Sequence, residues 1–224
     1  IEINALWYNA LKIMESFANL YKEKELSKKY AELAKKCKES FIKKFYNKKR
    51  KCFDDLVDDN SIRPNQLFAI GLHYPVVEPN SVEAKTAFET VTKKLLTPYG
   101  LKTLAKGEKC YREIYEGDQI KRDMSYHQGI TWPWLLGIYS DSFLNIISAE
   151  KNKTKKKELE EQYSKFAQNV EDTFYNEMYN RSTVGSISEL YDSAKPYEAK
   201  GAFAQAWSVA EVFRIIEKRN KWES

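Results

Sequence analysis

The chain has 224 residues, a formal net charge of +5, and 42% hydrophobic and 14% aromatic residues, enough to bury one sizeable core and too much for a disordered polymer. Its positive charge is not gathered for nucleic acid, because lysine alternates with glutamate through KEKELSKKYAELAKK and KNKTKKKELEEQ, the pattern of solvated helix faces. Cys37, Cys52 and Cys110 lack metal-ligand spacing and cannot all pair within the chain, so no disulfide scaffold and a reducing, cytoplasmic compartment are expected.

No apolar run approaches the ~20 residues of a membrane span, so no membrane partner is expected. The chain opens on IEINALWYNALKIM, without Met and already inside an amphipathic pattern, so Ile1 is expected to be an internal position of a longer protein. Ile3, Leu6, Trp7, Ala10, Leu11, Met14, Phe17 and Ala18 recur at helical spacing and predict a helix over 3–21 with that face buried. A second helix over 25–46 carries Leu26, Tyr30, Leu33, Ala34, Cys37, Phe41 and Phe45 on one stripe, and the short polar link makes a helical hairpin. The acids Asp54, Asp55, Asp58 and Asp59 invite a calcium loop but lack its glycine and closing glutamate, so a solvated turn is expected.

Arg63, Asn65 and Gln66 crowd the mouth of a short apolar helix over 67–72. Ser81 caps the next helix, which carries Val82, Ala84, Phe88, Val91 and Leu95 and stops before Thr97-Pro98-Tyr99-Gly100. Residues 101–121 contain Gly107 and Gly117 and little periodicity, and a connection of that length is expected to line a site.

The stretch YEGDQIKRDMSYHQGITWPW, residues 115–134, gathers the chain's most informative side chains. Asp118, Arg122, Asp123, His127 and Gln128 suit polar hydroxylated ligands, and Trp132 and Trp134 are flat platforms for a sugar ring or, alternatively, core indoles. An apolar helix is predicted from about 129 to 147, with Pro133 in its first turn. A basic link over 150–157 leads into a helix marked by Leu159, Tyr163, Phe166, Val170 and Phe174. The loop GSISELYD then presents Glu189 among small residues, and the last helix, GAFAQAWSVAEVFRIIE, is apolar on most of its circumference and is expected to be buried. About seven helices and no sustained period-2 segment predict an all-α fold, of the α/α-barrel type rather than a four-helix bundle. No metal or cofactor is expected.

Six ordered segments, IEINALWYNAL, RPNQLFAI, LLTPYGLKTL, YEGDQIKRDMSYHQGITWPW, GSISELYD and GAFAQAWSVAEV, together resemble the C-terminal glucosidase domain of glycogen debranching enzymes over nearly the whole chain. The resemblance implies an (α/α)6 toroid, incomplete here because about seven helices cannot supply twelve, with residues 1–224 as the C-terminal part of one glucosidase domain. It implies hydrolysis, with inversion, of the α-1,6 branch points of glycogen or branched α-glucan oligosaccharides. Glu189, in the SISE motif, would be the general base. Glu2, Arg63, Asn65, Gln66, Asp118, Arg122, Asp123, Tyr126, His127, Gln128, Trp132 and Trp134 would contact substrate.

The family's acid lies in a Trp-x-Asp-Ala segment ahead of the first motif, and no such sequence occurs in residues 1–224. The isolated chain is therefore expected to be inactive, and to self-associate or pair with the missing N-terminal part. Two other classes stay open: a glucan-binding barrel without turnover, and a sugar epimerase, which would need a pair of histidine bases where the chain has only His73 and His127.

Overall fold

The computed structural model describes residues 1–181 and 184–223, with side chains to residue 221. Helices α1 (Glu2–Leu20) and α2 (Lys24–Phe45) form the expected hairpin. The chain reverses at Lys22, in the left-handed region at φ 61°, and the Glu23 N–H closes the turn on the Ala18 carbonyl at 2.8 Å. A two-stranded ribbon, β1 (Tyr46–Asn47) with β2 (Cys52–Phe53), and a 3₁₀ turn (Pro64–Leu67) lead into the short α3 (Phe68–Gly71).

Ser81 does cap α4 (Val82–Lys94), accepting from the Ala84 N–H at 3.1 Å. At the centre lies α6 (Leu135–Ala149), buried around most of its circumference from Leu135 to Ile147, as an apolar-all-round helix must be. It touches α3, α4, α7 (Lys153–Asn180) and α8 (Ala206–Glu223). Gly71 lets α3 approach it, since a Cβ there would lie 2.9 Å from the Ile138 carbonyl. Ser142 and Asn145 of α6 then bond the Leu67 and Ile70 carbonyls at 3.1 and 2.8 Å. No helix of the described residues is long and apolar enough to cross a membrane.

The fold is mostly α, with eight α-helices among the described residues. The sequence gives no sign of its second organising element, a five-stranded antiparallel sheet in the order β3 (Leu96–Thr97), β4 (Gly100–Lys102), β5 (Thr131–Trp132), β6 (Leu190–Tyr191), β7 (Ala199–Lys200). Strands of two or three residues are too short for a period-2 pattern to register. The sheet draws into one place segments almost a hundred residues apart, pairing Leu101 with Trp132 and Thr131 with Tyr191.

Three further expectations need correction. The helix expected from 129 begins at Leu135, because Thr131 and Trp132 are claimed by the sheet. In the connection expected to be irregular, α5 (Gln119–Tyr126) forms, capped by Asp118. The basic link expected over 150–157 ends early, since Asn152 caps α7.

The outer helices also bury less than their composition suggests. On α1 the buried positions are Ala5, Tyr8, Leu11 and Ala18, while Ile3 and Trp7 stay 68% and 56% exposed, with Leu6, Met14 and Phe17 exposed beside them. On α8 only Ser208, Val212 and Ile215 are fully covered among the described side chains, and Trp207 and Phe213 stay 44% and 56% exposed.

Candidate active site

The site is framed by Arg63, at the residue before the 3₁₀ turn. Its guanidinium donates to the Thr103 carbonyl at 3.1 Å, the His127 carbonyl at 2.8 Å and the Gln128 amide oxygen at 3.0 Å, while Nε faces the Asp55 carboxylate at 3.6 Å. One planar cation thereby ties three separate segments together, a task suited to its fixed fork of donors. Asp55 also accepts from the Asn65 amide at 2.9 Å. Burial pushes the Asp55 carboxyl up from its ordinary value, against the Asn65 hydrogen bond and the Arg63 charge, and nearby Glu2 adds to the rise. Asp55 is thus a brace for this wall, and the reading of its segment as a solvated turn does not hold for it.

The next segment turns sharply at Gly129, whose φ of +131° and whose close approach to the Arg112 carbonyl, 2.2 Å from a hypothetical Cβ, admit only glycine. Its N–H is held by the Thr103 hydroxyl at 2.9 Å. The turn delivers Trp132, only 2% exposed, whose indole N–H donates to the Tyr126 carbonyl at 3.0 Å. Its ring stacks on His127 at 5.3 Å and 17° and meets Tyr126 and Trp207 edge-on. Trp134 stacks on Trp207 at 5.3 Å and 23°, and Phe68 packs behind it.

Between these walls is a cavity of about 280 Å³ lined by Glu2, Arg63, Pro64, Asn65, Phe68, Thr103, His127, Trp132, Trp134, Leu135 and Trp207. Its size is near the lower end of the roughly 300–1,000 Å³ of small-molecule sites. Desolvation, then the Arg63 cation, holds the His127 imidazole below its ordinary value, with Glu189 pulling the other way.

Glu189 is not on that wall but adjoins it. The Tyr126 hydroxyl donates to its Oε1, and the Tyr126 ring is packed against His127 and Trp132, both of which line the cavity. Oε2 accepts from the Ala202 N–H at 2.9 Å, and the Glu189 N–H returns a bond to the Ala202 carbonyl at 2.9 Å. Gly201 permits this clasp: a Cβ there would lie 2.4 Å from Oε2, and its φ is +70°.

Of the residues expected to contact substrate, Glu2, Arg63, Asn65, His127, Trp132 and Trp134 are brought together on the cavity wall. Gln128 stands behind it as a partner of Arg63. Gln66 is 1% exposed, accepting from the Phe53 N–H and donating to the Arg63 carbonyl, so its polar ends serve the frame. Arg122 and Asp123 are exposed on α5, Asp118 is exposed at its N-cap, and all three lie off the wall. Asp118 accepts from the Lys121 N–H and Arg122 donates to the Gly117 carbonyl, each at 2.9 Å.

Sequence reasoning missed Trp207, Thr103 and Phe68. The last helix begins only at Ala206 and leaves Phe203 outside it, so the four-residue spacing of Phe203 and Trp207 carried no signal for Trp207. Among the described residues, no group of three or more His, Cys, Asp or Glu gathers where a metal ion could be held.

Two comparisons bear on this arrangement. A solved structure described as a sialidase superposes with a TM-score of 0.70 over 96% of this chain at 16% identity, which shows a shared fold. This chain spans 19% of that one. The family profile for amylo-alpha-1,6-glucosidase matches residues 1–214, a span that contains Arg63, Glu189 and the three cavity indoles Trp132, Trp134 and Trp207, and the chain belongs to the amylo-alpha-1,6-glucosidase family.

Proposed function

We propose that this chain supplies the sugar pocket and the general base of an inverting α-1,6-glucosidase acting on branch points of glycogen or a branched α-glucan in the cytoplasm. The observation that carries the reading is the Glu189 carboxylate, held by the Tyr126 hydroxyl and the Ala202 N–H at the edge of a cavity faced with three indoles. Indoles suit the apolar faces of a pyranose, and Asn65, Glu2 and His127 offer hydrogen bonds to its hydroxyls.

An inverting reaction needs two carboxyls about 6.5–9.5 Å apart, one protonating the leaving oxygen while the other draws a proton from the attacking water. In this reading Glu189 takes the proton from water. The acid is a carboxyl outside residues 1–224, since the family's Trp-x-Asp-Ala segment is not found among them. The exposed apolar faces of α1 and α8 are where we place the rest of the barrel or, in the isolated chain, a second copy. Sedimentation of the isolated chain as a monodisperse monomer would count against that placement.

Glu189→Gln in the full-length protein keeps the shape of the side chain and removes its capacity to accept a proton, so glucose release from a branched dextrin should fall by about 10²–10⁴-fold. Wild-type product should appear first as the β-anomer by NMR. Near-normal turnover by the variant, or α-glucose as first product, overturns the reading.

A further inference from the structure

We propose that Tyr126 is a positioning residue, which holds the Glu189 carboxylate in the orientation from which it attacks water's proton, and not a surface for the sugar. The proposal rests on the reading of Glu189 as the base and deepens it.

A sugar platform needs a ring face open to the ligand. Tyr126 is absent from the cavity wall, whereas its neighbours His127 and Trp132 are on it. Its ring is fixed on several sides, edge-on to Trp132 at 4.8 Å and 76° and beside Tyr115 at 5.8 Å. Its carbonyl is anchored by the Trp132 indole N–H at 3.0 Å. What the ring presents outward is its hydroxyl, and that hydroxyl meets Glu189 Oε1.

The two carboxylate oxygens are thus gripped from different parts of the chain, Oε1 by the last residue of α5 and Oε2 by the Ala202 N–H just beyond β7. An ionised carboxylate has about four lone-pair directions. Two are spent on the clasp, and water can use one of the rest. Burial first, and then the hydrogen bond and charge of Glu189, push the Tyr126 phenol above its ordinary value, so it remains a donor throughout. It gives the same hydrogen bond before and after Glu189 takes the proton, and no proton leaves it in the reaction.

The test is Tyr126→Phe in the full-length protein, assayed on branched dextrin. Phenylalanine keeps the ring and its packing and removes only the donor. A platform role predicts no effect, while loss of aim at the reacting centre predicts that kcat falls by about 10²-fold with KM nearly unchanged. Because Tyr126 acts only through Glu189, the double variant with Glu189→Gln should be no slower than Glu189→Gln alone. Incorporating 4-aminophenylalanine at 126, which restores an N–H donor, should recover most of the lost kcat, and this rescue decides the matter if Tyr126→Phe also lowers the melting temperature. An unchanged kcat in Tyr126→Phe, a full additional loss in the double variant, or no rescue overturns the proposal. Turnover surviving in Glu189→Gln would instead remove the base assignment itself, so the two failures are told apart by which variant stays active.

Discussion

The two sides of the cavity are built on opposite plans. On the Arg63 side the polar groups are engaged with one another: Arg63 with Thr103, His127, Gln128 and Asp55, and Asn65 with Asp55. On the indole side Trp134 and Trp207 stack on each other, and Trp207 leaves 44% of its surface uncovered. The first side holds its shape without a ligand, and the second leaves apolar surface that a ligand can cover. A polar residue beside a cavity is therefore not by itself a ligand contact, and here the frame consumes most of the polar capacity while exposed aromatic area is left for recognition.

The contrast is broken most severely at Trp132, the indole that belongs to the frame. Trp132→Ala should cost about 3–5 kcal/mol of stability, read as a fall in melting temperature, and a merely weakened glucan affinity at unchanged stability would move Trp132 to the recognition side. Arg63→Ala leaves three acceptors without their donor and should cost roughly 1.5–3 kcal/mol by denaturant titration. Arg63→Lys should recover little of this, since an ammonium cannot reproduce the fork.

Gly201→Ala combines a strained left-handed backbone with a Cβ pressed on Glu189, and about 1–3 kcal/mol is expected. Its informative effect is on turnover, which should drop more than stability because the carboxylate is displaced. The smallest effect is on the open side: Trp207→Ala should change the melting temperature little while weakening glucan binding by about 0.5–1.5 kcal/mol, the contribution of one aromatic stacking partner, measured by calorimetry. Unchanged affinity would mean that the exposed ring serves a neighbouring segment and not the sugar.

Much of this was legible in the residues. Helical spacing found α1, α2, α4 and α7, and Ser81 announced its cap through the ordinary chemistry of N-terminal orphan amides. Of the cluster up to Trp134, the imidazole of His127 and the indoles of Trp132 and Trp134 reach the wall of the candidate cavity, and the acids do not. The five short strands were not legible, since two residues of extended chain carry no period. Their partners, such as Leu101 and Trp132, are chosen by tertiary pairing. Asp118 and Arg122 misled for a related reason: residue type shows what a side chain can bond, and only the fold shows that the Lys121 N–H and the Gly117 carbonyl claim them first. The apolar faces of α1 and α8 misled in the reverse sense, because periodicity locates a stripe without saying that anything covers it.

The bond between the Ala202 N–H and Glu189 Oε2 also makes that amide a spectroscopic gauge. Its proton points at an oxygen of the proposed base, so its resonance senses any rotation of the carboxylate directly, with no probe attached to the side chain. A sugar entering beside Trp134 should shift the Ala202 amide signal even though it touches neither residue 201 nor 202, and the size of that shift, followed through a ligand series, would order ligands by how far each one moves the base.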